Sequence, residues 1–347
     1  MSKLYDLSIY IGRFQPFHNA HQEVAEKALE NSKRLLFVIG GDNSPRTIKN
    51  PFTVKERVDI IQKNFDCRAP IDFISVRDYL YNDKVWSNQL MYKVSQMTRP
   101  DDKKIAITGS MKDASSYYLQ MFPQWKQDLF NTVPGVDSTK IREVWFNPLN
   151  GTRDIKNISE VTREFLLNFS LKNRELLQEL ESEFSYIESY KRLWKDAPFP
   201  VCFQTVDAVV FKAGHVLVIK RKKNPGKGLY ALPGGFLDIK KRESLFEGAL
   251  RELDEETNIR YPKDQIINNL VGSKVFDHPD RSLRGRTITT AFNFDLGDQG
   301  SLPFVIGGDD AEEALWMPFH EVGANLDKFF EDHVHIIEYF MYKQGRV

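Results

Sequence analysis

The stretch LSIYIGRFQPFHNAH, residues 7–21, decides the fold: a short apolar run ends on Gly12 and gives way within a few residues to a segment of helical period. Val24, Ala25, Ala28 and Leu29 fall on one face of that segment, while Glu23, Glu26, Lys27 and Glu30 fall elsewhere, as a helix covering a sheet requires. Asn19 stands where it caps the helix. Working outward, apolar runs recur at 35–41 (LLFVIGG), 71–76 (IDFISV) and 104–109 (KIAITG), separated by helical periods such as 19–33 and 53–65. Strand and helix alternating in this way predict an α/β domain built on a parallel sheet.

Beyond residue 159 the rhythm changes. Residues 159–195 read as charged amphipathic helix, halted at Ala197-Pro198-Phe199-Pro200, where the prolines forbid continuation. Residues 205–220 (TVDAVVFKAGHVLVIK) then read as two strands turning at Ala213-Gly214, and 285–296 (GRTITTAFNFDL) is rich in β-branched and aromatic residues. With one strong helix between them, this half is α+β. The expected organisation is a first domain over 1–185, a helical, proline-bearing linker over 186–200, and a second domain over 201–347. A length of 347 residues agrees, since single cores stop growing near about 250–300 residues.

The composition is ordinarily globular, with 41% hydrophobic and 28% charged residues, and 48 Lys+Arg balance 48 Asp+Glu. That balance gives no basic excess for a nucleic-acid partner. No run approaches the roughly 18 apolar residues of a membrane span, and the N-terminus carries no targeting segment, so a cytoplasmic location is expected. Cys67 and Cys202 lie far apart without CxxC spacing, which argues against a disulfide framework or a zinc site. The glycosylation sequons at Asn150, Asn157 and Asn168 are then chance matches. Oligomeric state is not legible; a homo-oligomer is left open.

Two regions carry chemistry. Gly12-Arg13-Phe14-Gln15-Pro16-Phe17-His18-Asn19-Ala20-His21 ends at a helix N-terminus, where backbone N–H groups make a phosphate site and His18 and His21 can stabilise charge growing on an attacked phosphorus. Ser138-Thr139-Lys140-Ile141-Arg142 opens another helix and gathers hydroxyls, N–H groups and two cations into a second phosphate cradle. In the second half, Leu232-Pro233-Gly234-Gly235-Phe236-Leu237-Asp238 precedes Glu243 and then Arg251-Glu252-Leu253-Asp254-Glu255-Glu256. Ser244 with Glu247 forms a capping-box signature, which places a helix over about 245–257 with Glu252, Glu255 and Glu256 on one side. Carboxylates so crowded repel unless cations sit among them, and oxygen ligands suit Mg²⁺ or Mn²⁺ rather than zinc.

The first region resembles the nucleotidyltransferase superfamily with its H-x-G-H and S-T-x-x-R signatures. GRFQPFH, Asn50-Pro51-Phe52-Thr53 and Ser138 to Arg142 narrow the likeness to nicotinamide mononucleotide (NMN) adenylyltransferases of the archaeal type. The resemblance implies that His18 and His21 bind ATP phosphates, that Ser138, Thr139 and Arg142 hold the outgoing pyrophosphate, and that the nucleophile is the substrate's own phosphate. It further nominates Gly12, Arg13 and Phe14 at the nucleotide, Gly109 at a base pocket, Arg46 as a phosphate clamp or surface ion pair, and Trp86 as a nicotinamide platform or core residue. Ala20 stands in place of the signature glycine, and Asp137 where Ser is common.

The second region resembles the Nudix box from Glu243 to Ile259, including Arg251, Glu252, Leu253, Glu255 and Glu256. Gly235 stands eight residues before Glu243 instead of six, and Asn258 replaces a glycine that ends the helix; Asn enters the left-handed conformation more easily than most residues. The resemblance implies metal binding by Glu252, Glu255, Glu256 and the Gly234 carbonyl, with Arg251 orienting Glu243. Residues 276–286 (FDHPDRSLRGR) look like the loop of Nudix ADP-ribose pyrophosphatases, Asp309 to Glu313 form either an additional acid or a solvated turn, and His333 and His335 read as structural. Together the likenesses imply a Rossmann-like transferase followed by a Nudix domain. The implied enzyme is bifunctional, making NAD from ATP and the mononucleotide and cleaving ADP-ribose to AMP and ribose 5-phosphate. The rival, a Nudix domain that only senses its ligand, is disfavoured by the retained glutamates.

Overall fold

The computed structural model describes residues 3–66, 69–110, 114–131, 135–147 and 155–346; Cys67 and Asn150 lie outside them. The chain divides into two compact units, Met1–Glu181 and Ser182–Val347.

The first unit runs β1 (Tyr5–Gly12), α1 (Asn19–Asn31), β2 (Ser32–Ile39), α2 (Val54–Lys63), β3 (Ile71–Ser75), α3 (Asp83–Met97), β4 (Ile105–Gly109), β5 (Lys126–Leu129), α4 (Ser138–Phe146), α5 (Glu160–Lys172) and the start of α6 (Arg174–Leu193). Its sheet is wholly parallel in the order β3-β2-β1-β4-β5. Alternation along β1 sends Leu7, Ile9 and Ile11 into one core with Val94 and Phe122, and Tyr10 into another with Val24 and Ala28. Both faces are covered, which explains why the strands read as continuous apolar runs. β5 escaped the sequence reading because Lys126-Gln127-Asp128-Leu129 is a short polar edge strand. The long helical stretch is two helices, broken at Asn173, whose φ of −122° and ψ of 47° leave the helical region.

The second unit continues α6 and adds β6 (Cys202–Lys212), β7 (His215–Arg221), β8 (Tyr230–Ala231), β9 (Gly234–Phe236), α7 (Leu245–Thr257), α8 (Lys263–Asn268), β10 (Leu270–Phe276), β11 (Arg286–Asp295), β12 (Ala311–Pro318), α9 (Phe319–Val322) and α10 (His333–Lys343). The mixed sheet has the order β10-β11-β6-β7-β12, with β8 on β7 and β9 on β6. Leu250 and Leu253 of α7 pack against Val206, Ala208 and Phe292, which fixes α7 on the sheet and aims its other face outward. The Ser244–Glu247 capping box is formed, and Asn258 ends the helix in the left-handed conformation at φ 43°. The two-residue insertion is absorbed in a single 3₁₀ turn, Ile239–Lys241, capped by Asp238. Among the described residues no helix is long and apolar enough to cross a membrane.

Candidate active sites

With strand order 3-2-1-4-5, the connections from β1 and β4 leave in opposite directions, and a crevice opens beyond their carboxyl ends. Gly12 and Gly109 end those two strands. A side chain at Gly12 would begin 2.7 Å from the Phe14 ring, so the glycine is what lets Phe14 fold back. Phe14 sits at φ 52° with its ring buried against Tyr10, Phe37 and His21. Its ring is thus packed into the core just beyond the end of β1.

The cap of α1 is His18, not Asn19. His18 is the last extended residue, and its Nδ1 accepts the His21 N–H at 3.4 Å; Asn19 is already helical. A ring accepting at Nδ1 carries its proton on Nε2, which assigns a neutral donor tautomer. The His18 and His21 rings stack at 3.6 Å and 17°.

Gln15 gathers the three motif stretches. Its buried side chain donates to the Phe52 carbonyl at 2.9 Å and accepts the Phe52 N–H at 3.0 Å, while its own carbonyl accepts from Arg142 Nη1 at 2.8 Å. Arg142 also donates to the Ile48 carbonyl and Thr139 Oγ1, and Ser138 Oγ donates to the Pro16 carbonyl at 3.1 Å. The oxygens that take hydrogen bonds from Arg142 are all neutral, and burial pulls its pKa down to about 10. Asp137 caps α4 by accepting the Lys140 N–H at 2.9 Å, which gives that residue a definite role.

The other nominees have partners within the chain. Arg13 pairs with Asp78 at 2.9 Å. Arg46 pairs with Glu56 at 2.9 Å, donates to the Pro51 carbonyl and lies over the Phe169 ring. Trp86 packs against Tyr118 and Phe122 at the margin of the core, and Gly109 abuts Leu119. Sequence reasoning passed over Arg57, a fully buried guanidinium that ties the carbonyls of Arg13, Gly40 and Gly41 together at the ends of β1 and β2.

In the second unit, α7 and β9 form one wall of a cavity of about 660 Å³. Arg251 forks onto Glu243 at 2.7 and 2.9 Å and reaches Glu252 and Glu255, each at 2.8 Å. That pairing drives the Glu243 pKa down to about 2. Glu256 is buried, accepts the Gly234 N–H at 2.9 Å, and is pushed up to about 8, by burial first and by neighbouring Glu252 among lesser causes. Gly235 leaves room for Glu252, whose carboxylate lies 2.5 Å from where a Cβ would stand.

Three arginines also line the cavity: Arg221, Arg281 and Arg284. Arg281 is neutralised by a two-bond fork onto buried Asp332. Arg284 stands 3.8 Å from Glu331 and over the Phe236 ring. Arg221 forms no ion pair among the described residues; it donates to the Pro225 carbonyl and covers the Phe330 ring at 4.3 Å. His333 also lines the cavity, but its Nδ1 accepts the Leu232 N–H at 3.0 Å and burial lowers its pKa to about 3, so it is a neutral structural acceptor. Asp309 and Asp310 line the rim, Asp310 paired with Lys223.

Sequence reasoning missed Asp207, fully buried beside Gly234 and held by the Thr289 hydroxyl. A lone acid in the apolar run Val206-Asp207-Ala208-Val209 was the available signal. Among the described residues no three His, Cys, Asp or Glu side chains stand close enough to form a ready-made metal cage. The donor chemistry nonetheless fits a divalent ion: all donors are oxygens, and burial raises the pKa of both Glu252 and Glu256, so that a cation between them would favour their charged forms.

Comparison with known proteins bears on both units. Residues 203–340 match the NUDIX domain family and residues 9–81 the cytidylyltransferase-like family. A nicotinamide/nicotinic acid mononucleotide adenylyltransferase of Acinetobacter baylyi is 32% identical over 183 residues, 52% of this chain and 94% of that protein. An ADP-ribose pyrophosphatase of Methanocaldococcus jannaschii is 40% identical over 141 residues, 40% of this chain and 74% of that protein. A crystal structure of a bifunctional NMN adenylyltransferase/ADP ribose pyrophosphatase from Francisella tularensis, complexed with AMP and a Mn ion, superposes with a TM-score of 0.89 at 35% identity, covering 98% of this chain and 99% of that one. The chain belongs to this bifunctional family. Membership in the NMN adenylyltransferase/ADP-ribose pyrophosphatase family accounts for two phosphate-handling sites on one polypeptide.

Proposed function

We propose a division of labour among named residues for the two activities this family combines. Transfer is assigned to the first unit and hydrolysis to the second, with the part of α6 from Ser182 onward counted with the hydrolase unit rather than as a linker. In the transferase, a phosphate oxygen of the mononucleotide attacks the α-phosphorus of ATP, the α–β P–O bond breaks, and pyrophosphate leaves as NAD forms. His18 and His21 donate to the phosphates around that phosphorus, Arg13 and the N–H groups after Gly12 steady the chain of phosphates, and Ser138, Thr139 and Arg142 receive the pyrophosphate. The supporting observation is the joining of residues 13–18, 50–52 and 138–142 through Gln15 and Arg142. Arg46, Trp86 and Gly109 shape the surrounding pocket. The acceptor is nicotinamide mononucleotide, with the nicotinate form as the alternative.

In the hydrolase, the oxygen of water attacks one phosphorus of ADP-ribose, the P–O–P bridge breaks, and AMP and ribose 5-phosphate leave. Glu252, Glu255, Glu256 and the Gly234 carbonyl would hold Mg²⁺ or Mn²⁺, which when bound acidifies water and neutralises diphosphate oxygens. Arg251 fixes the orientation of Glu243, Glu252 and Glu255, and Arg221 meets the diphosphate. A cytoplasmic setting, where ATP and mononucleotides are held, is part of the same reading.

The test is direct. Purified protein with Mg²⁺ turns ATP plus nicotinamide mononucleotide into NAD and pyrophosphate, and ADP-ribose alone into AMP and ribose 5-phosphate, both resolved by chromatography. Chelation of the metal abolishes AMP release. Intact ADP-ribose with either Mg²⁺ or Mn²⁺ would reject the hydrolase half and favour a sensing domain; equal rates with both mononucleotides would reject the stated acceptor preference.

A further inference from the structure

The Nudix match begins at residue 203, yet the cavity of the second unit is also lined by Tyr186, which lies upstream of it on α6. That part of α6 is built into the unit. Glu183 is buried and its Oε1 accepts the Gly226 N–H at 3.0 Å, Ser182 Oγ accepts from Asn224 at 3.1 Å, and Ile187 is fully buried. One turn further on, Tyr190 packs against Phe203 and Phe236. Residues i and i+4 share a helix face, so the anchoring of Tyr190 also fixes the direction of Tyr186.

Three aromatic rings line this cavity, and two are already covered. Phe330 has the Arg221 guanidinium over it at 4.3 Å, and Phe236 has that of Arg284 at 5.2 Å. Tyr186 has neither an aromatic nor a cation partner over its ring among the described residues, and it is 42% exposed. With the diphosphate placed between the glutamates and Arg221, a nucleoside diphosphate still has a flat apolar base to bury, and stacking on an open aromatic face is how proteins hold such a base. The geometry points to Tyr186 as the stacking platform for the nucleobase of the hydrolase substrate, a specificity residue supplied by α6 from outside the Nudix fold. This rests on the hydrolase reading above.

The experiment compares Tyr186→Ala and Tyr186→Phe with the wild-type full chain, measuring ADP-ribose kinetics and inhibition by AMP and by ribose 5-phosphate. In Tyr186→Ala, KM for ADP-ribose and Ki for AMP rise together by about tenfold. Meanwhile kcat stays within about twofold, Ki for ribose 5-phosphate does not move, and Tyr186→Phe behaves as wild type. Unchanged KM, a rise in Ki for ribose 5-phosphate, or a Phe variant as weak as Ala would overturn the proposal. Should Tyr186→Ala fail to fold, Tyr186→Leu keeps apolar bulk without the flat ring and is expected to show the same loss. Calorimetric titration of AMP in Mg²⁺ separates this inference from the reading beneath it. If the wild type does not hydrolyse ADP-ribose, AMP binding that weakens in Tyr186→Ala still supports the platform, and AMP binding that does not weaken refutes it.

Discussion

The two sites face the same problem, a dense cluster of phosphate charge, and meet it with opposite electrostatics. The first unit offers stacked imidazoles, helix N-termini and a half-buried Arg142 bonded only to neutral oxygens. Positive potential is built in, and the phosphates complete it. The second unit presents a wall of glutamates to an anionic substrate, a repulsive arrangement until a cation stands between them. Its arginine on that wall, Arg251, is consumed in organising the acids. The difference teaches that a preorganised cationic cradle suits transfer between two phosphates, whereas hydrolysis needs an activated water, which the carboxylate wall can supply only with a metal.

The contrast can be broken most forcefully at the metal side. Glu256→Gln is expected to lower hydrolase kcat by on the order of 10³-fold, measured as AMP release at saturating Mg²⁺; a loss below tenfold would mean that Glu256 is not a metal ligand. Next in size, His18→Ala removes both the proposed phosphate donor and the cap of α1, and should cost on the order of 10²–10³-fold in NAD formation. Retention of more than a tenth of the wild-type rate would remove His18 from the reacting centre.

Arg251→Lys sharpens the comparison more gently. An ammonium has three donors and no planar fork, so it cannot keep the two-bond grip on Glu243 while also holding Glu252 and Glu255, and the apparent affinity for Mg²⁺ should weaken by about 10–100-fold, read from the metal dependence of hydrolysis. An unchanged metal dependence would contradict the orienting role.

The smallest effect concerns acid stability. Burial lowers the His333 pKa to about 3 from 6.5, so the unfolded chain takes up this proton near 6.5 while the folded chain resists it. Stability from this group is present above about 6.5 and is lost as pH falls toward 3, by up to about 1.4 kcal/mol per pH unit. His333→Gln, whose side-chain oxygen can still accept the Leu232 N–H, should therefore show a flatter decline in Tm between pH 7 and 5 than wild type. Parallel declines would show that His333 does not titrate on unfolding.

Much of this was legible because local chemistry and fold agreed. The apolar runs became β1 to β4, the Ser244–Glu247 box started α7 where its spacing said, and Asn258 ended it. What escaped was decided by tertiary context. β5 is polar because it lies on an edge, Asn173 interrupts a helix that periodicity alone carries through, and His18 rather than Asn19 caps α1 because the chain is still extended at 18. At the sites, motif residues were found, but not the residues that hold motifs together. Gln15 and Arg57 join segments distant in sequence, and Asp207 and Tyr186 reach the hydrolase cavity from a strand and a helix that no spacing rule connects to the Nudix box.

The most direct test of the central claim, two independent sites of opposite electrostatics, is to assay both reactions on Glu256→Gln and His18→Ala side by side. The account predicts a clean exchange: Glu256→Gln makes NAD at the wild-type rate while its AMP release from ADP-ribose falls on the order of 10³-fold, and His18→Ala does the reverse, with NAD formation the reaction lost. Loss of both activities in either folded variant would contradict it.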